Sequence, residues 1–150
     1  MNYPFRDYIL SYIKDGDKDF RNKITAIIEN YPKPSADVLM NIISTHDVER
    51  AITVLAGESS EEKDKDWMSS QKLTDKQYNK GKKMLKLAMV LMFFLPGVPC
   101  IYYGDEAGMQ GYKDPFNRGC FPWGEEDTEL IEFTKELSAL RKNSSIFKDG

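Results

Sequence analysis

The sequence predicts an α/β chain, and an incomplete one. Two short apolar runs, Val38–Ile43 and Val98–Tyr103, lack the alternation of a half-solvated strand. They read as strands buried on both faces of a parallel sheet. Stretches of helical periodicity precede, separate and follow them. Two buried parallel strands leave outer hydrogen-bonding edges that they cannot satisfy between themselves, so the pair belongs in a larger sheet.

Each element has its own local reason. Pro4 suits a first helical turn, and Phe5, Tyr8, Ile9, Tyr12 and Ile13 then share one face until Asp15-Gly16 breaks the run. A second helix carries Phe20, Ile24, Ile27, Ile28 and Tyr31 and stops at Pro32. The first strand follows, then a helix over Val48–Leu55 closed by Gly57. Residues 58–72 are polar apart from Trp67-Met68 and read as a surface loop. Thr74 with Gln77 forms a capping-box pattern. The helix it opens becomes apolar all round by Ala88–Leu95, so its far end is expected to be buried. Pro96-Gly97 ends it and the second strand follows, running into Gly104, Asp105 and Glu106. After a Gly-rich polar loop from Gly108 to Gly124, a last helix aligns Leu130, Phe133, Leu137 and Leu140. Acidic residues at its start and Arg141-Lys142 near its end complement the helix dipole.

Composition narrows the function classes. With 41% hydrophobic and 30% charged residues, the chain is that of an ordinary soluble globular protein. A net charge of −3 gives no footprint for nucleic acid. The longest apolar run, Leu87–Pro96, is half a membrane span, so no membrane partner is expected. Two separated cysteines, Cys100 and Cys120, make no disulfide framework, and with one histidine they offer no zinc site. Cys100 sits in an apolar run and is expected to be a reduced, buried thiol. The N-terminus has neither the basic nor the apolar region of a signal peptide. The reduced-thiol reading favours the cytoplasm, and any signal peptide would lie upstream. Aromatic content of 12% is high enough to matter if the ligand is a sugar.

Both strand ends are polar: Ser44-Thr45-His46-Asp47 after the first and Gly104-Asp105-Glu106 after the second. In a β/α barrel the active site lies where strands end and βα loops begin. An Asp in that place is often a helix N-cap, and a lone His is more often structural than catalytic. Their adjacency at one strand end, His46 beside Asp47, tilts both toward a site. Asp105 and Glu106 are neighbours on one strand end and point in different directions, which argues against a catalytic pair.

The ordered motifs decide more than any one of them. "NIISTHDVER" resembles the seventh-strand motif of the alpha-amylase superfamily, glycoside hydrolase family 13, in which a His-Asp pair ends the strand. "PGVPCIYYGDEAGM" resembles that family's eighth-strand motif, and "DPFNR" followed by "PW" resembles the substrate loop after it. "MNYPFRDYIL" is similar to the segment ending the sixth strand in the neopullulanase and cyclomaltodextrinase branch. The resemblance covers nearly the whole chain. It implies the C-terminal portion of a (β/α)8 TIM barrel, from the end of strand six through helix eight, helix-rich with about two parallel strands. A complete barrel takes about 250 residues, so residues 1–150 are expected to be a C-terminal fragment of a catalytic domain.

The same resemblance implies roles. Asp47 matches the carboxylate that stabilises the transition state, and His46 the histidine that hydrogen-bonds the same sugar. Asp114 and Arg118 match a pair that binds the next glucose on the non-reducing side. Arg50 matches an arginine holding loop geometry, and Asp105 and Glu106 are structural. Tyr102 and Tyr103 are expected to pack the barrel, and Trp123 is open between packing and sugar contact. Two departures stand out. Thr45 replaces a common Asn or Ser, and "RGCFPW" replaces the frequent Arg-Pro-Met-Pro-Trp.

The implied activity is hydrolysis of α-glucosidic bonds in starch, maltodextrin or cyclodextrin. No organic cofactor is expected, and calcium only in a complete enzyme. The expected partners are the α-glucan substrate and the missing N-terminal part of the barrel. Nucleophile and general acid come from upstream strands in that family, so the isolated chain is expected to be inactive. The rivals are a non-catalytic carbohydrate-binding half-barrel and a fragment that self-associates through exposed strand edges.

Overall fold

The computed structural model describes residues 1–147. Helix α1 spans Tyr3–Asp15, with Asn2 as its N-cap, Pro4 in its first turn and Gly16 closing it at φ 72°. That left-handed conformation suits a residue without Cβ. Arg6 and Leu10 are buried beside Phe5 and Ile9, whereas Tyr12 is exposed and stacks on Phe20 with ring centroids 4.4 Å apart. Helix α2 (Phe20–Asn30) ends before Pro32, and a four-residue turn of helix, α3 (Lys33–Ala36), follows it unanticipated.

Strand β1 is Met40–Asn41 and β2 is Val98–Pro99, paired in parallel with Met40 opposite Val98 and Asn41 opposite Pro99. Asn2 forms a further parallel bridge to Asn41, its backbone N–H donating to Met40 O at 3.0 Å. The spatial order is therefore residue 2, β1, β2. Both strands are shorter than the sequence suggests. Val38 (68% exposed) and Met40 (42%) are not buried on both faces, because among the described residues only two strands pair and nothing covers that side. Ile42 and Ile43 are fully buried.

The core lies among the helices. Helix α4 (Ala51–Ala56) packs on α6 (Asp75–Phe94), and α6 packs in turn on α1 and α7 (Thr128–Asn143). Leu85, Ala88, Met89, Met92, Ile52, Leu55 and Leu130 form the centre. Gly81 allows the α4–α6 approach: a Cβ there would come within 2.9 Å of Ile52 Cγ1 and of Ala56 Cβ. The capping box that opens α6 is present, Thr74 accepting from Gln77 N while Gln77 Oε1 accepts from Thr74 N. On α7 the buried stripe is Leu130, Thr134 and Leu137, and Leu140 is 61% exposed. Arg141 ties the end of α7 to the end of α6, donating to Phe93 O and to Gly97 O.

Two further expectations are corrected. The helix after β1 starts at Ala51 rather than Val48, because the preceding carbonyls are taken by tertiary donors: Arg6 binds Glu49 O, and Asn117 binds Val48 O. The polar stretch 58–72 contains helix α5 (Lys65–Ser70), capped by Asp64, whose carboxylate accepts from Trp67 N at 2.7 Å. Trp67 meets Tyr112 edge-on at 5.1 Å, which anchors that helix. Cys100 is half-buried and Cys120 exposed, both as free thiols.

Glu129 bridges Lys82 at 2.7 Å and also binds Lys86, joining α7 to α6. These two ammonium groups hold its carboxyl down to about 2, from an ordinary 4.5. An acid held below its unfolded value stabilises the fold fully above the unfolded pKa, and that contribution is lost as pH falls toward the folded one. Replacing Glu129→Gln is therefore expected to lower the thermal midpoint at pH 7. The gap from the parent chain should close between pH 4.5 and pH 2, as read from melting curves across that range. A gap that stays constant down to pH 2 would show that the bridge carries no charge-dependent stability.

Candidate functional site

The site is built on the turn after β1. Ser44 Oγ accepts from Ala51 N at 2.8 Å, which fixes where α4 begins relative to the strand. Between them, residues 45–49 form a loop whose carbonyls are gathered by one amide. Asn117, fully buried, donates to Thr45 O, His46 O and Val48 O at 3.2, 3.0 and 2.8 Å. The backbone carbonyl of Asn117 accepts from Arg50 Nε at 3.0 Å.

Arg50 is the hub. It is completely buried and donates to Asp105 Oδ1 at 3.2 Å and to the carbonyl of Tyr103. Its guanidinium lies 4.3 Å from the ring centroid of Tyr102 and 4.8 Å from that of Tyr103. A buried cation held by a carboxylate, two carbonyls and two aromatic rings fixes the ends of both strands to the 108–119 loop. Burial pushes the Asp105 carboxyl up to about 6 while the Arg50 charge pulls it down. This matches the structural role expected for Arg50 and Asp105. One oxygen each of Asp105, Glu106 and Asn117 is buried without a hydrogen-bond partner among the described residues.

On the open side of this framework, His46 and Asp47 are each half-exposed, with Nε2 and Oδ1 3.1 Å apart. The other oxygen of Asp47 accepts from the Tyr3 hydroxyl at 2.9 Å. Tyr3 is the residue that sequence reasoning missed. It stands in the first turn of α1, 44 residues from Asp47, and is brought there by the bridge of residue 2 to β1 and by Arg6, which donates to Ile43 O and Glu49 O. Asp114 and Arg118 form a 2.6 Å ion pair, both side chains about half-exposed. Arg118 Nε also donates to His46 O at 3.2 Å. The four expected residues thus fall in one cluster, linked by two ion-pair contacts and one hydrogen bond, on the face where the strands end.

Arg118 leads into Gly119, whose carbonyl accepts from the Tyr103 hydroxyl at 2.8 Å. Beyond it Trp123 is 81% exposed, tilted against Phe121 at 4.6 Å, so it packs no core. No cluster of three or more metal-ligating side chains occurs among the described residues. No helix among them is long and apolar enough to cross a membrane.

A family model described as the alpha-amylase catalytic domain matches residues 1–148. The chain belongs to the alpha-amylase family. It is 38% identical to an amylopullulanase of Thermoanaerobacter thermohydrosulfuricus, an alignment that takes in 100% of this chain but 10% of that protein. It is 31% identical to a cyclomaltodextrinase of Geobacillus thermopakistaniensis, again over 100% of this chain and 22% of the relative. Among solved structures, the cyclic α-maltosyl-(1→6)-maltose hydrolase of Arthrobacter globiformis, in complex with cyclic α-maltosyl-(1→6)-maltose, superposes with a TM-score of 0.76 at 28% identity. That match covers 100% of this chain and 30% of that one. The two parallel strands and their helices are thus one part of the barrel of this family's enzymes.

The buried ion pair gives the sharpest test of this framework. Changing Asp105→Ala leaves the Arg50 guanidinium buried without its counter-charge, so unfolding free energy is expected to fall by about 3–5 kcal/mol. Urea unfolding at pH 7 measures it, and a loss under about 1 kcal/mol would contradict the role assigned to the pair.

Proposed function

We propose that the chain is the C-terminal part of an alpha-amylase-type (β/α)8 catalytic domain, from the end of strand six through helix eight. The complete enzyme is a retaining glycosidase acting on α-glucosidic bonds of starch, maltodextrin or cyclodextrin. One observation carries this reading. The Asp47 carboxylate stands half-exposed at the strand end, held by Tyr3 and His46, and is coupled through the His46 carbonyl to the Asp114–Arg118 pair.

The chemistry follows from that arrangement. A glycosidic bond breaks through an oxocarbenium-like state, and a fixed carboxylate beside the developing charge stabilises it. Asp47 takes that role, with His46 hydrogen-bonding hydroxyls of the same sugar. Arg118, held rigid by Asp114, offers a planar donor fork to the next glucose. Retention also requires a nucleophile and a general acid about 5–5.5 Å apart across the bond. Asp105 cannot supply either: it is buried and committed to Arg50. The reading therefore places both groups on barrel strands outside this chain, and its remaining partner is the N-terminal portion of the barrel.

A self-associating half-barrel is the second reading, favoured by the exposed apolar residues Val38, Met40 and Val98 along the strands. Light scattering on the purified chain separates the two, since this second reading alone requires a dimer or larger.

Incubated with maltotriose, the chain alone is expected to release no reducing ends. Turnover that Asp47→Asn abolishes would falsify the assignment of the missing carboxylates to other strands. In calorimetric titration with maltotriose, Tyr3→Phe is expected to weaken binding about two- to tenfold, less than the full worth of a hydrogen bond to a charged acceptor because Tyr3 acts through Asp47. Unchanged affinity would remove Tyr3 from the site.

A further inference from the structure

Thr45 lies beneath the open face of the site. It is 3% exposed, and its backbone carbonyl is held by Asn117 Nδ2 at 3.2 Å. Its hydroxyl has two neighbours. Asp47 N donates to Thr45 Oγ1 at 3.1 Å, and the Tyr3 hydroxyl lies 3.4 Å from the same oxygen. Tyr3 Oη in turn donates to Asp47 Oδ2 at 2.9 Å. Thr45, Tyr3 and Asp47 thus form a closed ring around one carboxylate.

The donor inventory fixes the direction of each proton in that ring. A carboxylate only accepts, so the single Tyr3 proton goes to Asp47. Having given it, the Tyr3 oxygen can only accept from Thr45. The Thr45 proton is free for this, because its other neighbour, Asp47 N–H, is itself a donor. The order is Thr45 to Tyr3 to Asp47 Oδ2. At 3.4 Å the first link is long and weak, so most of what Thr45 does passes through the 3.1 Å bond from Asp47 N.

That bond spans two residues and closes a local turn around His46. One side chain therefore sets the backbone from which both His46 and Asp47 project. Threonine suits the task, since a second heavy atom on Cβ restricts χ1 and aims the hydroxyl in advance. A buried hydroxyl that only satisfied itself would need one partner. This one meets both the backbone of Asp47 and the side chain that holds the Asp47 carboxylate.

We infer that Thr45 is a positioning residue for the proposed glycosidase site. It touches no sugar, and it sets the aim of the Asp47 carboxylate through Asp47 N and Tyr3. The inference rests on the reading of Asp47 as the carboxylate beside the reacting sugar.

The test combines calorimetric titration of the whole 150-residue chain with maltotriose and site-resolved amide hydrogen exchange on the same proteins. Thr45→Val keeps the shape and removes the hydroxyl. It is expected to weaken maltotriose binding about two- to fivefold, part of the worth of one hydrogen bond because Thr45 acts through its neighbours. Asp47 N–H should also exchange several-fold faster in that variant. Thr45→Ser keeps the hydroxyl and loses a buried methyl. Its thermal midpoint should fall while its Kd stays within about twofold of the parent. Serine would then cost stability without costing affinity, which a purely structural threonine would not allow. Thr45→Val binding as tightly as the parent, or Thr45→Ser binding as weakly as Thr45→Val, overturns the inference. Unchanged exchange at Asp47 N in Thr45→Val overturns it as well, and that measurement needs no sugar. No maltotriose binding by the parent chain, or binding that Asp47→Ala leaves untouched, overturns the reading of Asp47 and the role of Thr45 with it.

Discussion

Burial of the Arg50 guanidinium is the constraint on which the rest of the site depends. A cation without solvent is tolerated only where acceptors and a counter-charge are at hand. Asp105, the carbonyls of Tyr103 and Asn117, and two tyrosine rings supply these from two separate stretches of chain. Satisfying one arginine therefore sets the relative positions of both strand ends and the 108–119 loop. Asn117 extends the same lattice, since its backbone carbonyl serves Arg50 while its side-chain amide spends its donors on the loop carrying His46 and Asp47.

The exposed groups inherit their geometry from this buried lattice. Asp47 sits on a loop that has no helical hydrogen bonds of its own, yet both its oxygens have partners. Such a loop holds a carboxylate in place only if its backbone is fixed from beneath. Three carbonyls bound by one buried amide do that at little entropic cost once the core has formed. Functional side chains on a fixed loop over a rigid framework are what pre-organised chemistry requires.

Legibility in the sequence followed the range of the interactions. Helix α1 with its Pro and Gly signals, the capping box of α6 and the acidic start of α7 are local, and each was readable. His46, Asp47, Asp114 and Arg118 were readable through ordered motifs, and the fold brings them into one cluster. Tyr3 was not, because its link to Asp47 spans 44 residues and depends on a bridge that no local pattern encodes. Asn117 lay inside a quoted motif, but its meaning is three carbonyls about seventy residues away. The late start of α4 has the same origin, tertiary donors overriding a helical pattern. Strand length failed for a different reason, since apolar content reports the burial a residue is suited to rather than the pairing one chain can supply.

That last mismatch bears on how the chain is organised. The well-packed core is helical, centred on α6 between α1, α4 and α7, and its central side chains are wholly buried. The segment just after β1 contributes Ile42 and Ile43 to the interior, while Val38, Met40, Val98, Ile101 and Tyr103 remain between 37% and 68% exposed. Apolar residues of strand type left open along a sheet signal a surface suited to further burial. The helical layer is thus buried within the chain, and the strand surface is not. This division fits one sector of a barrel, in which helices pack on their neighbours outside and strands complete their burial only against the rest of the sheet.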